Sequence, residues 1–154
     1  MRVASARARW FGVTLAVLLL DQLSKSAIRA ALAPGESHPL LWDLVSLTFT
    51  ENQGASFGIL QGAGLPISIV SIVALGVFAY VTLFSDVSEK GLLFAIALAA
   101  GGIAGNLIDR LAQGAVTDFI DIGFWPVFNV ADSAIVVGVA IIVAYLLRSS
   151  SRDD

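Results

Sequence analysis

Gly105-Asn106-Leu107-Ile108-Asp109-Arg110 leads through Thr117-Asp118-Phe119 to Phe128-Asn129-Val130-Ala131-Asp132. This stretch holds four of the twelve acidic residues, Asp109, Asp118, Asp121 and Asp132, yet it joins two of the most apolar segments of the chain. Charged groups beside lipid are costly and tend to be functional. The fold follows from what flanks the stretch, and the function from what its carboxylates do there.

The flanks are membrane spans. The chain is 57% hydrophobic and 14% charged, against about 25% charged in an ordinary soluble domain. The apolar residues come in blocks of spanning length. We expect an all-α membrane protein of one domain, with four transmembrane helices over about 10–30, 65–84, 91–108 and 131–147. Basic residues Arg2, Arg7 and Arg9 precede the first block, which resembles the start of a cleavable signal peptide. The block instead continues at helical spacing through Asp21 and Lys25, with no convincing small-x-small cleavage site, so it reads as a retained helix. Its first eleven residues from Trp10 rise about 16 Å, half a membrane. Asp21 and Lys25 therefore lie in the outer half, one turn apart on one face.

Residues 31–64 are too polar and broken to span. Ser46, Thr48 and Thr50 alternate with Leu47 and Phe49, which is strand periodicity. Asn52-Gln53-Gly54 is a turn signal, and Ala55–Leu60 reads as a return strand. We expect a small β element over about 44–60 on the outer face, and a polar connection over 109–131. In the third span Ala97, Gly101 and Gly105 recur every four residues. That spacing admits close helix packing, with room for a substrate as the sharper reading.

Six of the nine Lys and Arg residues (Arg2, Arg7, Arg9, Lys90, Arg148, Arg152) fall on the side of both termini, and three (Lys25, Arg29, Arg110) on the other. The positive-inside rule puts both termini in the cytoplasm. Trp10 and Tyr145 would mark the inner surface, and Trp42 and Trp125 the outer one. No basic cluster points to nucleic acid. The absence of cysteine removes disulfides, thiol nucleophiles and cysteine metal sites. The single histidine, His38, sits in a Pro/Gly/Glu stretch that reads as an exposed loop, so a His-based triad or metal site has little to build on.

The polar residues converge on the outer side. Asn106, Asp109 and Arg110 share a helical face through i, i+3, i+4 spacing. Two carboxylates held together share one proton, as in aspartic proteases. The ionised one takes a proton from water while the protonated one polarises a carbonyl. Spacing alone does not say which aspartates pair. Asp132 also suits a helix N-terminus, Asp109 can pair with Arg110, and Asp21 with Lys25 reads as an ion pair between helices.

Five motifs, in order, resemble those of the bacterial lipoprotein signal peptidase (signal peptidase II) family. They are Asp21-Gln22-Leu23-Ser24-Lys25, Glu51-Asn52-Gln53-Gly54-Ala55-Ser56-Phe57, Gly105-Asn106-Leu107-Ile108-Asp109-Arg110, Val116-Thr117-Asp118-Phe119 and Phe128-Asn129-Val130-Ala131-Asp132-Ser133. The resemblance implies a four-helix aspartyl endopeptidase of the bacterial inner membrane, working at the extracytoplasmic face. It implies cleavage of diacylglyceryl-modified prolipoproteins before the lipidated cysteine, inhibition by globomycin, and action without cofactor or metal, as a monomer among membrane lipid. By it, Asp118 and Asp132 are the catalytic pair. Asp21, Lys25, Asn52, Asn106, Asp109, Arg110 and Asn129 bind substrate or brace the site, with Asn52 and Arg110 nearest the substrate backbone. Asp121 falls outside the catalytic position and reads as support. The glycine-bearing outer half of span three, with the β element, would cradle the signal peptide.

Two other readings compete. A serine–lysine peptidase would use Lys25 as base; Ser24 and Ser26 point away from it on a helix, so a distant serine such as Ser56 would be required. A small transporter or channel would use the aspartates as a proton or cation path, but such a path should line the membrane's depth.

Overall fold

The structure, a computed structural model, describes residues 2–40, 44–54, 64–84 and 89–150. Helix α1 spans Arg2–Ala31, α2 Gly64–Phe84, α3 Lys90–Gln113 and α4 Val130–Ser150. Each contains a segment long and apolar enough to cross a membrane: Arg9–Ala31, Gly64–Phe84, Lys90–Gln113 and Val130–Arg148. Three short strands, β1 (Ser37–Pro39), β2 (Ser46–Asn52) and β3 (Val116–Asp121), form one antiparallel sheet in the order β1-β2-β3.

Helix α3 is the centre of the bundle, with α1, α2 and α4 packed around it. Its buried face is built of small residues, among them Ala95, Ala97, Ala99, Gly101, Gly102 and Gly105. A Cβ on Gly101 would lie 2.7 Å from the Val17 Cβ of α1 and 2.8 Å from the Thr14 carbonyl oxygen. The hydroxyl of Thr14 donates to the Ala97 carbonyl oxygen at 3.1 Å. The Ala97–Gly101–Gly105 stripe is therefore the seat of α1. This corrects the expectation that the stripe leaves room for a substrate: backbones come close there because no side chain intervenes.

The 109–131 connection is more ordered than its polar composition implies. Helix α3 continues past 108 to Gln113 and ends on Gly114, whose φ of 75° closes the helix in the left-handed conformation. Strand β3 then pairs with β2, with Thr50 opposite Asp118 and Asn52 opposite Val116. The partners of β2 are thus β1 and β3, both from outside the expected 44–60 element. The expected return strand over 55–60 lies outside the described residues, as does Trp42. His38 is in β1, exposed, with its Nε2 2.8 Å from Glu36 Oε1.

Alternation along β2 turns Phe49 inward, where it packs with Ile28 of α1 and Phe119 of β3. This small core seats the sheet on the end of α1. The Phe128 N–H donates to the Ile120 carbonyl oxygen at 3.0 Å, and the Phe128 carbonyl oxygen accepts the Ile120 N–H at 2.7 Å. The loop after β3 is thereby folded back along the strand and delivers Asn129 beside Asp118.

Candidate active site

Four helix and strand ends meet at the sheet end of the bundle. Asp21 and Lys25 come from α1, Asn52 from the end of β2, and Asn106, Asp109 and Arg110 from the end of α3. Asp118 comes from the middle of β3, Asn129 immediately precedes α4, and Asp132 lies in its first turn. Every site residue expected from the sequence lies in this layer.

A fully buried ionic cluster forms its base. The Lys25 ammonium lies 2.9 Å from Asp21 Oδ2 and 3.1 Å from Asp109 Oδ2, and donates to Asn106 Oδ1 at 2.8 Å. Three acceptors match the three N–H bonds of an ammonium. Asp21 Oδ1 accepts the Ala131 N–H at 3.0 Å, and Asp109 Oδ2 accepts the Thr117 N–H at 3.0 Å. One carboxylate thus holds the start of α4 and the other holds β3. Gln22 ties both together, donating to Asp21 Oδ2, Asp109 Oδ1 and the Gly105 carbonyl oxygen, each at 3.1 Å. Asp109 therefore pairs with Lys25 rather than with its sequence neighbour Arg110, which points about 100° further round α3. Gly105 is required here: a Cβ on it would collide with the Asp21 carboxylate.

Above this base stand Asp118 and Asp132, held by three asparagines. Each asparagine is turned by a partner with only one possible role. Lys25 can only donate, so Asn106 offers it Oδ1 and turns Nδ2 to Asp132 Oδ1 at 2.7 Å. The Asp132 N–H donates to Asn129 Oδ1 at 2.8 Å, so Asn129 Nδ2 reaches Asp118 Oδ1 at 2.6 Å. The Gly54 N–H donates to Asn52 Oδ1 at 3.1 Å, so Asn52 Nδ2 reaches Asp118 Oδ2 at 3.0 Å. Asp132 Oδ2 accepts the Asn129 N–H at 3.3 Å, which closes a capping box at the start of α4. All four carboxyl oxygens thus accept a fixed donor.

The two carboxyl groups open on a cavity of about 230 Å³. Asn52, Ser71, Arg110 and Ile135 contribute to its walls. It lies between α2, α3 and α4, and none of Ala97, Gly101 and Gly105 lines it. The guanidinium Nε of Arg110 is buried without a partner among the described residues. Burial, and secondarily the charge of Asp132, push the Asp118 carboxyl up to about 7, against the opposing hydrogen bonds from Asn52 and Asn129. A carboxyl poised near neutrality in a cavity has the property required of a general acid.

Several supporting residues carried no separate signal in the sequence. Gln22 lies inside the first motif but reads as filler there. Arg29 Nη1 donates to Thr117 Oγ1 at 2.9 Å, bracing β3 from α1; only its place one turn beyond Lys25 hints at this. Asp121, by contrast, stands out in the sequence and reads there as support; it accepts from Thr48 Oγ1 at 3.0 Å and from the Gly123 N–H at 2.9 Å. It joins the sheet to the following turn. Ser68 and Ser71 of α2 donate to carbonyls of their own helix, at 2.7 and 2.8 Å.

The geometry weighs against both rival readings. The Lys25 ammonium, at 0% exposure, has its three contacts taken by Asp21, Asp109 and Asn106, with none to a serine; Ser56 lies outside the described residues. The charged groups described within the bundle sit in one layer at one end, not along its depth. Among the described residues no group of three or more His, Cys, Asp or Glu side chains is arranged to hold a metal ion.

Comparison with known proteins agrees across sequence and structure. The profile of the signal peptidase (SPase) II family matches residues 13–148. A lipoprotein signal peptidase of Moorella thermoacetica is 43% identical over 141 residues, covering 88% of this chain and 90% of that protein. One of Halothermothrix orenii is 36% identical over 142 residues, covering 92% and 97%. A bacterial membrane enzyme solved by the in meso method at 2.3 Å superposes with a TM-score of 0.89 at 30% identity, covering 96% of this chain and 92% of that one. A second, at 1.9 Å, gives 0.83 at 31% identity, covering 91% and 93%.

Proposed function

We infer the reaction from a premise the comparisons supply: the chain belongs to the signal peptidase II family, multi-pass membrane proteases, and its function is that of a lipoprotein signal peptidase. On that premise we propose an aspartic endopeptidase that removes the signal peptide from diacylglyceryl-modified prolipoproteins, cutting before the lipidated cysteine. The observation that carries the proposal is a pair of carboxyl groups, Asp118 and Asp132, facing one cavity with every oxygen held by an oriented donor.

In the proposed reaction the pair holds one proton at rest. Asp118 keeps it, which its pKa of about 7 supports. Asp132, at the start of α4 where a helix dipole favours negative charge, takes a proton from water. The hydroxide adds to the scissile carbonyl carbon as Asp118 protonates the carbonyl oxygen. The tetrahedral product collapses when the proton on Asp132 passes to the leaving nitrogen and Asp118 recovers its own, so two carboxyl groups and one water complete the cycle. Donors fixed before substrate arrives need no reorganisation during the reaction. Asn52 and Arg110, both in the cavity wall, would meet the substrate backbone.

In this reading the substrate enters from the bilayer beside α2 and α4. Both termini are cytoplasmic and the sheet is extracytoplasmic in the inner membrane, supported by the six-to-three distribution of basic residues. The chain acts as a monomer among membrane lipid, without a cofactor, and globomycin occupies the same cavity. The test is Asp118→Asn and Asp132→Asn in the purified chain, assayed on a diacylglyceryl-modified prolipoprotein. Each should lower turnover by roughly 10²–10⁴-fold, the contribution of one positioned acid or base. Normal turnover in either variant refutes the pair.

A further inference from the structure

Two cavities flank the contact between α2 and α3, one towards each end of the bundle. At the sheet end the gap faces α4 and is the cavity already described. At the opposite end, which carries both termini, it faces α1 and is a second cavity of about 240 Å³. Trp10 and Phe11 of α1, Leu75 and Ala79 of α2, and Ile96 and Ala100 of α3 line it. The two cavities share no residue. We propose that this second cleft binds an anionic glycerophospholipid, with one acyl chain in the cleft and an ester carbonyl accepting the Trp10 indole N–H.

Three observations carry this. First, Trp10 is only 9% exposed and its Nε1 is buried with no partner among the described residues. A buried donor without an acceptor is costly. The two hydroxyls of the cleft spend their hydrogens on helix carbonyls, Thr14 on Ala97 at 3.1 Å and Thr82 on Phe78 at 2.8 Å. The ligand that fits is apolar and brings an acceptor. An ester at the head of an acyl chain has this chemistry, and tryptophan at the membrane interface commonly occupies that level. Second, the depth matches. From Lys90, where α3 begins, to Ala100 is ten residues, or about 15 Å of helix rise, half the hydrocarbon thickness and so one leaflet. Third, the sequence at this end is net basic: Arg2, Arg7, Arg9, Lys90, Arg148 and Arg152 stand against Asp86, Glu89, Asp153 and Asp154, and such flanks draw anionic lipid.

The test is native mass spectrometry of the full chain taken from vesicles of equal phosphatidylglycerol and phosphatidylcholine. The wild-type chain should retain one phosphatidylglycerol through detergent exchange. Trp10→Phe, which keeps the ring and loses the N–H, should weaken retention about fivefold, the scale of one net hydrogen bond. Ala79→Phe, which fills the cleft, should abolish it. Both variants should keep prolipoprotein cleavage within twofold, since neither touches the carboxyl pair. A wild-type chain that retains no lipid overturns the site whatever the variants do. Equal retention of both headgroups overturns the anionic preference, and equal retention by wild type and Trp10→Phe overturns the role of the indole.

Discussion

Replacing Lys25 by methionine tests the ionic base of the site. The ammonium is fully buried and contacts Asp21 at 2.9 Å, Asp109 at 3.1 Å and Asn106 at 2.8 Å. Methionine fills much of the volume but leaves Asp21 without a cation and Asp109 with only Arg29, 3.8 Å away. Removing one partner of a buried ion pair costs about 3–5 kcal/mol, and here both carboxylates also hold backbone of α4 and β3. At roughly 2–4 °C per kcal/mol for a chain of this size, the melting temperature in detergent should fall by about 10 °C. The decisive measurement is the double variant Lys25→Met with Asp109→Asn. It removes one stranded charge while leaving an amide oxygen for the Thr117 N–H, and should recover about 1–3 kcal/mol as non-additive coupling. A melting temperature within about 2 °C of wild type for Lys25→Met refutes the reasoning. So does a double variant that melts at the sum of the two single losses.

Other outcomes follow from the same geometry. The Asp118 pKa is raised from 3.8 to about 7, so the folded protein binds the extra proton between those values; stability should fall as pH rises across that window and level off above it, and Asp118→Asn should flatten that slope in melting experiments. If Asp118 must hold a proton to act, turnover should also fall as pH rises through about 7. The Asn52 hydrogen bond opposes the upward shift, so Asn52→Ala should move the alkaline limb of the turnover profile to higher pH; an unmoved or lowered limb contradicts the assignment of that limb to Asp118. Gly105→Ala drives a Cβ into the Asp21 carboxylate and should cost about 1–3 kcal/mol, whereas Gly91→Ala, which meets open space, should be neutral or slightly stabilising by denaturation in detergent.

The spans were legible because lipid demands long apolar blocks, and the four helices contain the expected segments. The opening stretch was legible as an interfacial polar layer for the same reason. The selection of Asp118 and Asp132 from its four aspartates came from motif resemblance, since their separation in sequence says nothing of their approach. What composition hid was long-range pairing. Strand β3 reads as loop because its four successive buried residues, Val116 to Phe119, show no alternation. It becomes a strand only when β2, far back in the chain, lies beside it. Asp109 illustrates the same limit: Arg110 is its neighbour in sequence, but helix geometry sends the two apart and brings Lys25 from another helix. The glycine stripe announced close packing without naming α1 as the partner.

The contact between Asp21 and the Ala131 N–H spans 110 positions, and it bears on how the enzyme is made. Synthesis runs from the N-terminus at about 5–20 residues per second, so α4 is the last of the four helices made. Until the last helix docks, Asp132 is absent and the Asp21 oxygen that will receive it has no backbone to hold. On the proposed carboxyl pair, the site is therefore incomplete until the last helix docks. The chain would gain its second carboxyl group in the same step that completes the bundle, so a copy truncated before α4 would lack the pair.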